Sequence, residues 1–375
     1  MAKRTVHLHI GPPGPASDAV HDGLLQQRFA LASAGFHVPA TSAYDALATE
    51  IELCRTHREH GLRRSEVEGT WARLAQEAWR SSRDVLISVP GLAAAPPDGR
   101  ALAFDALAGL KVHLVLTPPD PGTALTSAWS AAVRAGRRTS FAKFARRALD
   151  PTATSEHAAH FRSTYDLPTV LDAWAPRLKP ARVHVITAPA QRPGLPVGPT
   201  VWQRYAALLG TDLPDHAPAG TAERESTDPG PVPALDPHDA AAHLEVLRRV
   251  NRALDGRLSH PSYAAVVAPL FGEVTPLALP HLGPDPRTAP LHDVLSDLAR
   301  EWTATLLARG HSVHGAPDDL VPQVPPTAPH PDDVTTKEQL EVATDLLAEA
   351  MLDLAQLRRD NERLSATRPR RWSGW

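Results

Sequence analysis

Short β-branched runs set at wide intervals constrain this chain more than any other feature. Val6-His7-Leu8-His9-Ile10, Val85-Leu86-Ile87, Val112-His113-Leu114-Val115-Leu116 and Val183-His184-Val185-Ile186 are each too short for a helix and read as buried strands. Between them lie stretches of helical apolar spacing: Ala46, Ile51 and Leu53; Val67, Trp71, Leu74 and Ala78; residues 96–109; Leu125, Ala128, Trp129 and Val133; residues 141–149. A segment around Phe161, Tyr165, Val170, Leu171 and Trp174 precedes the last strand, and helices resume at 202–209, 244–254, 263–270 and 291–307. Strands separated by helices require crossover connections. The pattern therefore predicts an α/β fold with a parallel sheet, to which residues 36–39 add a short extended piece.

The first run carries the sharpest local signal. Gly11-Pro12-Pro13-Gly14-Pro15 must turn, Ser17 or Asp18 is placed to N-cap a helix, and Leu24, Leu25 and Ala32 give that helix a buried stripe as far as about Gly35. In an α/β protein such a turn after the first strand is where a phosphate is held, because helix-terminal N–H groups and the helix dipole converge there. The turn lacks the lysine and hydroxyl of a G-x-x-x-x-G-K-[ST] loop, which argues against a kinase or ATPase.

Charge and composition narrow the partners. A formal charge of −3 gives no positive field for nucleic acid, and no run of about 18 apolar residues is present for membrane insertion. The lone Cys54 excludes an internal disulfide framework and a multi-cysteine zinc site; with no apolar signal-peptide core at the N-terminus, it points to the cytoplasm. Cys54 reads as a packing residue rather than a nucleophile, and Ser88 has no elbow glycines beside it. His7 with His9 share one side of a strand, His311 with His314 one face of a helix, and His57 with His60 and His157 with His160 repeat the spacing. With no cysteine or acidic triad beside them, no metal is expected at any of these pairs.

Two proline-rich links, 211–237 and 317–331, interrupt the pattern. The second leads to a long helix from about 335 to 365 in which Leu340, Leu347, Leu354 and Asn361 fall seven apart, with Ala343, Ala350, Leu357 and Leu364 between them. Such a seam either packs back on its own domain or pairs with a protein partner or a second copy. The organisation read here is an α/β domain over 1–325 with a surface insertion at 211–237, an amphipathic helix over 332–366 and a disordered tail over 367–375.

The order of these pieces resembles the sulfotransferase-like proteins of actinobacteria, a branch of the P-loop-type fold that uses 3′-phosphoadenosine 5′-phosphosulfate (PAPS). The strings that carry the resemblance are Val6 to Gly11, Val112 to Thr117 with Ser127-Ala128-Trp129, Ser140-Phe141-Ala142-Lys143-Phe144, Val183 to Thr187 with Trp202, Leu247-Arg248-Arg249-Val250-Asn251, and Gly315 to Pro322. They span residues 4–325. The resemblance implies a three-layer P-loop-type fold with a parallel sheet flanked by helices, and transfer of a sulfuryl group from PAPS to a hydroxyl or amine of a small acceptor. It puts Gly11, Gly14, Ser17 and Ser127 at the cofactor.

Three positions depart from the family pattern. Its first turn carries a lysine, a glycine and two hydroxyl residues; here Gly14 stands at the lysine, Pro15 and Ala16 follow, then Ser17 and Asp18. Pro119 stands where relatives have an arginine for the 3′-phosphate, and Ser88-Val89-Pro90 replaces the Ser-His-Glu-like string of the general base. No catalytic residue is assigned on this basis. Arg134, Arg137, Arg138 and Lys143 are either substitutes for the missing cations or a solvated face, and His9 is either the nearest base or a packed imidazole. Two functions are thus expected: a PAPS-dependent sulfotransferase, or a non-catalytic protein of the same fold that acts as a binding or interaction module.

Overall fold

All four predicted strands form, the extended piece at 36–39 supplies a two-residue strand, and one further strand joins them, in a computed structural model that describes residues 4–190, 199–213, 237–271, 289–322 and 330–367. The strands are β1 (Thr5–His9), β2 (Phe36–His37), β3 (Asp84–Ser88), β4 (Lys111–Leu116), β5 (Val183–Ile186) and β6 (Ser312–His314). They make one sheet in the order β2-β3-β1-β4-β5-β6, and every pairing is parallel. Register is fixed by burial: Val6 lies opposite Val85 on one side and Val112 on the other, so one slip would turn the apolar set to the wrong face. β6 corrects the expectation of a shared helix face for His311 and His314, because its three residues are too few to show a period.

The helices follow in chain order: α1 (Pro15–Gln26), α2 (Arg28–Ser33), α3 (Ala43–Cys54), α4 (Thr70–Arg80), α5 (Pro97–Asp105), α6 (Pro121–Arg134) and α7 (Phe141–Ala148). Then come α8 (Glu156–Tyr165), α9 (Leu167–Trp174), α10 (Val201–Leu208), α11 (Pro237–Leu254), α12 (His260–Leu270), α13 (Ala289–Arg309) and α14 (Thr336–Thr367). Alternate strand residues feed two cores. Val6, Leu8, Val85, Ile87, Leu114 and Leu116 face the larger one with Trp129, Phe141 and Trp174. Leu86, Val115 and Ile186 face the smaller one, closed by Val20 and Leu24 of α1, Leu31 of α2, and Trp202 and Tyr205 of α10. The sheet is therefore the middle of three layers. Burying each large side chain contributes roughly 1.5–3 kcal/mol.

Two expectations at the first helix are corrected. Helix α1 stops at Gln26, Gln27 leaves helical geometry at φ −99° and ψ 19°, and α2 carries the chain on. The helix starts at Pro15 with Gly14 as its cap, so neither Ser17 nor Asp18 is the N-cap; both lie inside the helix. The reason is Pro15, whose fixed φ and missing N–H suit the first helical position.

The strings behind the family resemblance are used in packing. Trp202 lies so close over Gly23 that a Cβ there would sit 2.3 Å from the indole, which locks α10 onto α1. Asn251 donates to the carbonyls of Val133 (2.8 Å) and Arg137 (3.0 Å) and accepts from the Tyr263 hydroxyl, closing the end of α6. Asp332 accepts from the N–H groups of Phe141 and Ala142, both at 2.9 Å, and so caps α7 from far along the chain. Arg204 and Asp319, both nearly buried, pair at 2.5 Å and tie the segment after β6 to Thr187 at the end of β5. Helix α14 docks through Val342, Ala343 and Leu346 onto the larger core, against α11 and α12. Most of the proline-rich stretch 211–237 and the tail from 368 lie outside the described residues.

Candidate functional site

The topology selects one crevice. The chain leaves β1 through α1 and α2 toward β2 at one sheet edge and leaves β4 through α6 to α9 toward β5 on the other side. Neighbouring strands whose connections diverge leave a gap beyond their C-terminal ends, where ligands of open α/β sheets bind. Here that gap lies between the Gly11–Gly14 turn and the Thr117–Asp120 turn.

The predicted site residues gather there in unequal ways. Gly11 has φ 71°, and a Cβ on it would meet the Pro90 carbonyl oxygen at 2.0 Å, so this position requires glycine. Gly14 has φ 146°, a backbone conformation in which any side chain is strained, and the site of its missing Cβ is 3.8 Å from the Ser127 hydroxyl. Gly14 and Ser127 thus face each other. The buried Ser127 hydroxyl has no hydrogen-bond partner among the described residues. Ser17 is turned inward: fully buried, it donates to the Pro12 carbonyl and shares a 2.7 Å hydrogen bond with the Thr117 hydroxyl.

Beneath the turn a polar chain ties three strand ends together. His9 Nδ1 bonds the Ser88 hydroxyl (2.8 Å), His9 Nε2 the Thr117 hydroxyl (2.9 Å), and His21 Nδ1 reaches Ser88 at 3.3 Å. Burial, with the charge of His21 adding to it, pushes the His9 imidazole down to about 3, so it is neutral at ordinary pH. Both its nitrogens are engaged and it is sealed from solvent. His9 is a packed imidazole, not an accessible base.

Charge decides what the crevice can hold. Pro12, Pro13 and Pro15 have no N–H, and the Asp18 N–H is spent on the Gly14 carbonyl at 2.9 Å. Asp18 itself adds an exposed carboxylate to the first turn of α1. At the start of α6, Asp120 accepts from the N–H groups of Gly122 (2.9 Å) and Thr123 (3.1 Å), so that helix end is already closed by the chain's own carboxylate. Arg137 and Arg138 follow the far end of α6, about 20 Å along its axis, where they pair with Glu156 and Asp255. Arg134 ends that helix and Lys143 is exposed on α7.

One group escaped the sequence reading. Glu50 of α3 lies over Gly91, where a Cβ would be 1.9 Å from its carboxyl carbon, and it accepts the Gly91 N–H. Burial pushes its carboxyl up to about 7, against the opposing pull of that hydrogen bond. Burial also raises the Tyr165 phenol, and the charges of Asp18 and Glu50 push it further the same way, so the three share one neighbourhood. The signal was present: Glu50 falls on the apolar stripe of α3 between Ala46 and Leu53. Cys54, the last residue of α3, is pushed up to about 12 by burial and then by Glu50 and Glu59, which keeps it a thiol.

His7 and His9, side by side on β1, go to separate networks. His7 stands in a row of imidazoles crossing four strands, with its ring centroid 5.2 Å from that of His113. His113 Nδ1 meets His184 Nε2 at 2.8 Å, and His184 Nδ1 meets His314 Nε2 at 3.2 Å. Burial first, then the neighbouring His113, His184 and Lys111, pushes His7 down to about 3; burial with His113, His314 and Lys111 lowers His184 to about 4. Among the described residues no cluster of three His, Cys, Asp or Glu has the geometry to hold a metal ion, and no helix is long and apolar enough to cross a membrane.

No family model, curated protein or solved structure matches the chain.

Proposed function

We propose that this chain is a sulfotransferase-like, P-loop-type scaffold that does not hold PAPS and works as a non-catalytic binding or interaction module. The observation that carries the reading is the state of the two helix N-termini beside the crevice. One holds Pro15 and Asp18, and the other is closed by Asp120. A bound phosphosulfate would meet Asp18 in the field meant to attract it, and like charges about 4 Å apart repel by roughly 1–4 kcal/mol at effective dielectrics of 80 to 20. The φ of Gly14 adds to this, since a lysine there would strain the turn. Ser17, whose hydroxyl is spent on Pro12 and Thr117, offers no hydroxyl to a ligand. The residues present do not fit PAPS.

The strings of the resemblance support the same reading from the other side, because Trp202, Asn251 and the Gly315–Pro322 segment serve packing and ion pairing within the fold. Calorimetric titration with PAP, the desulfated product, tests it. The expected result is no saturable heat at millimolar ligand; saturable binding would overturn the reading. Sulfuryl transfer stays as a second reading because Glu50, whose carboxyl burial raises to about 7 beside Gly91 in the turn after β3, is suited to proton exchange. PAP formation from PAPS that is lost in Glu50→Gln would favour it.

A further inference from the structure

The C-terminal helix leaves an apolar seam in solvent. Only the first part of α14 docks, through Val342, Ala343 and Leu346. Beyond it Leu347, Leu354, Leu357 and Leu364 are 61%, 50%, 61% and 67% exposed, and Met351 is 63% exposed. These leucines are not scattered. Leu347, Leu354 and Asn361 occupy one heptad position and Ala350, Leu357 and Leu364 the other, which makes a stripe about 26 Å long. Most helical stability in proteins comes from packing of an apolar face, and from Leu347 onward the leucines of this stripe are left to solvent.

We infer that the stripe pairs with the same stripe of a second copy of this chain, in parallel and in register. The inference rests on the interaction-module reading above and names its partner. Charge selects the occupant. Asp353 precedes Leu354 on one flank and Arg358 follows Leu357 on the other, and neither makes a hydrogen bond or ion pair among the described residues. Their neighbours are already matched within the helix, with Asp360 bonded by Gln356 and paired with Arg363. In a parallel pair the flanking residue of one helix meets the residue five places later on the other, so Asp353 faces Arg358 of the second copy, twice by symmetry. Asn361 meets Asn361, and the two amides hydrogen-bond to each other. In an antiparallel pair neither match is kept. The polar pair fixes register, and the two ion pairs fix direction.

Sedimentation velocity of the full chain over a concentration series is the test. The mass should approach twice the 40.3 kDa of one chain as concentration rises. Asp353→Arg and Arg358→Asp should each reduce it to the one-chain mass, and an equimolar mixture of the two variants should restore the pair. Leu354→Glu with Leu357→Glu should abolish pairing while leaving the folded body intact by circular dichroism, since both positions are solvent-exposed. A one-chain mass for the native protein at every concentration overturns the inference. So does a dimer that survives the double glutamate variant, or a mixture of charge variants that fails to associate. PAP binding is read in a separate titration, so the two proposals fail independently.

Discussion

Acid should loosen this fold in a way that can be assigned to individual residues. His7 and His9 are held near 3 in the folded chain against 6.5 when free, so the unfolded chain binds more protons between those values and stability falls as pH drops through that window. Going from pH 7 to pH 5 costs about 2 kcal/mol for each such imidazole. Glu50 works against them. Its carboxyl, held up at about 7 from 4.5, takes its proton earlier in the folded chain, and protonating it over the same interval returns about 2 kcal/mol. The net loss from these three groups is about 2 kcal/mol, and the lowered His184, His113, His314 and His21 add to it in the same direction. Lys111 and Arg182, whose charges act on the imidazole row, oppose its protonation further, while Asp84 near His113 favours it. Urea unfolding at pH 7, 6 and 5 measures the slope. His7→Leu, at a buried position whose Nδ1 has no partner among the described residues, should flatten the slope by about 2 kcal/mol over the interval, and Glu50→Gln should steepen it by a similar amount. A native protein equally stable at pH 7 and pH 5, or a His7→Leu variant with the native slope, would refute the reasoning.

Other consequences follow from single contacts. Asp319→Ala leaves Arg204 charged, nearly buried and without its carboxylate, and should lower stability by about 3–5 kcal/mol in denaturant titrations. Gly11→Ala places a methyl at the Pro90 carbonyl in a left-handed backbone conformation; the conformation alone costs about 1–2 kcal/mol, and the clash makes the total larger, read as a lowered unfolding midpoint. Gly23→Ala should separate α1 from α10 and be read as increased exposure of Trp202 by fluorescence, whereas Gly35→Ala, whose added methyl meets no atom but whose backbone at φ 93° is strained by a side chain, should lower stability without moving that signal.

The sheet was legible because its central strands are short runs of apolar residues and histidine, buried on both faces and set between helical stretches. Val85 to Ile87 and Val183 to Ile186 are shorter than a helix and rich in β-branched residues, which favours strand. β6 was not legible, since Ser312, Val313 and His314 gain their pairing only from β5. At the crevice, the resemblance marked Gly14 and Pro119 as departures from the family pattern, but it could not show the inward turn of Ser17 or the closure of α6 by Asp120, which depend on where β1 and β4 end. The start of α1 was misread because a side-chain cap and a proline at the first helical position compete, and the proline won. Asp332 on α7 and Asn251 on α6 could not be read at all, because they join segments more than a hundred residues apart.

The account turns on whether the β1 turn receives an anion, and amide resonances of the labelled, deuterated protein report on that turn directly. During titration with PAP to millimolar concentration, the account predicts that the amide signals of Gly11, Gly14, Ala16, Ser17 and Ser127 stay in place. Saturable movement of Gly14 together with Ser127 would contradict it and would mean that the crevice holds the nucleotide.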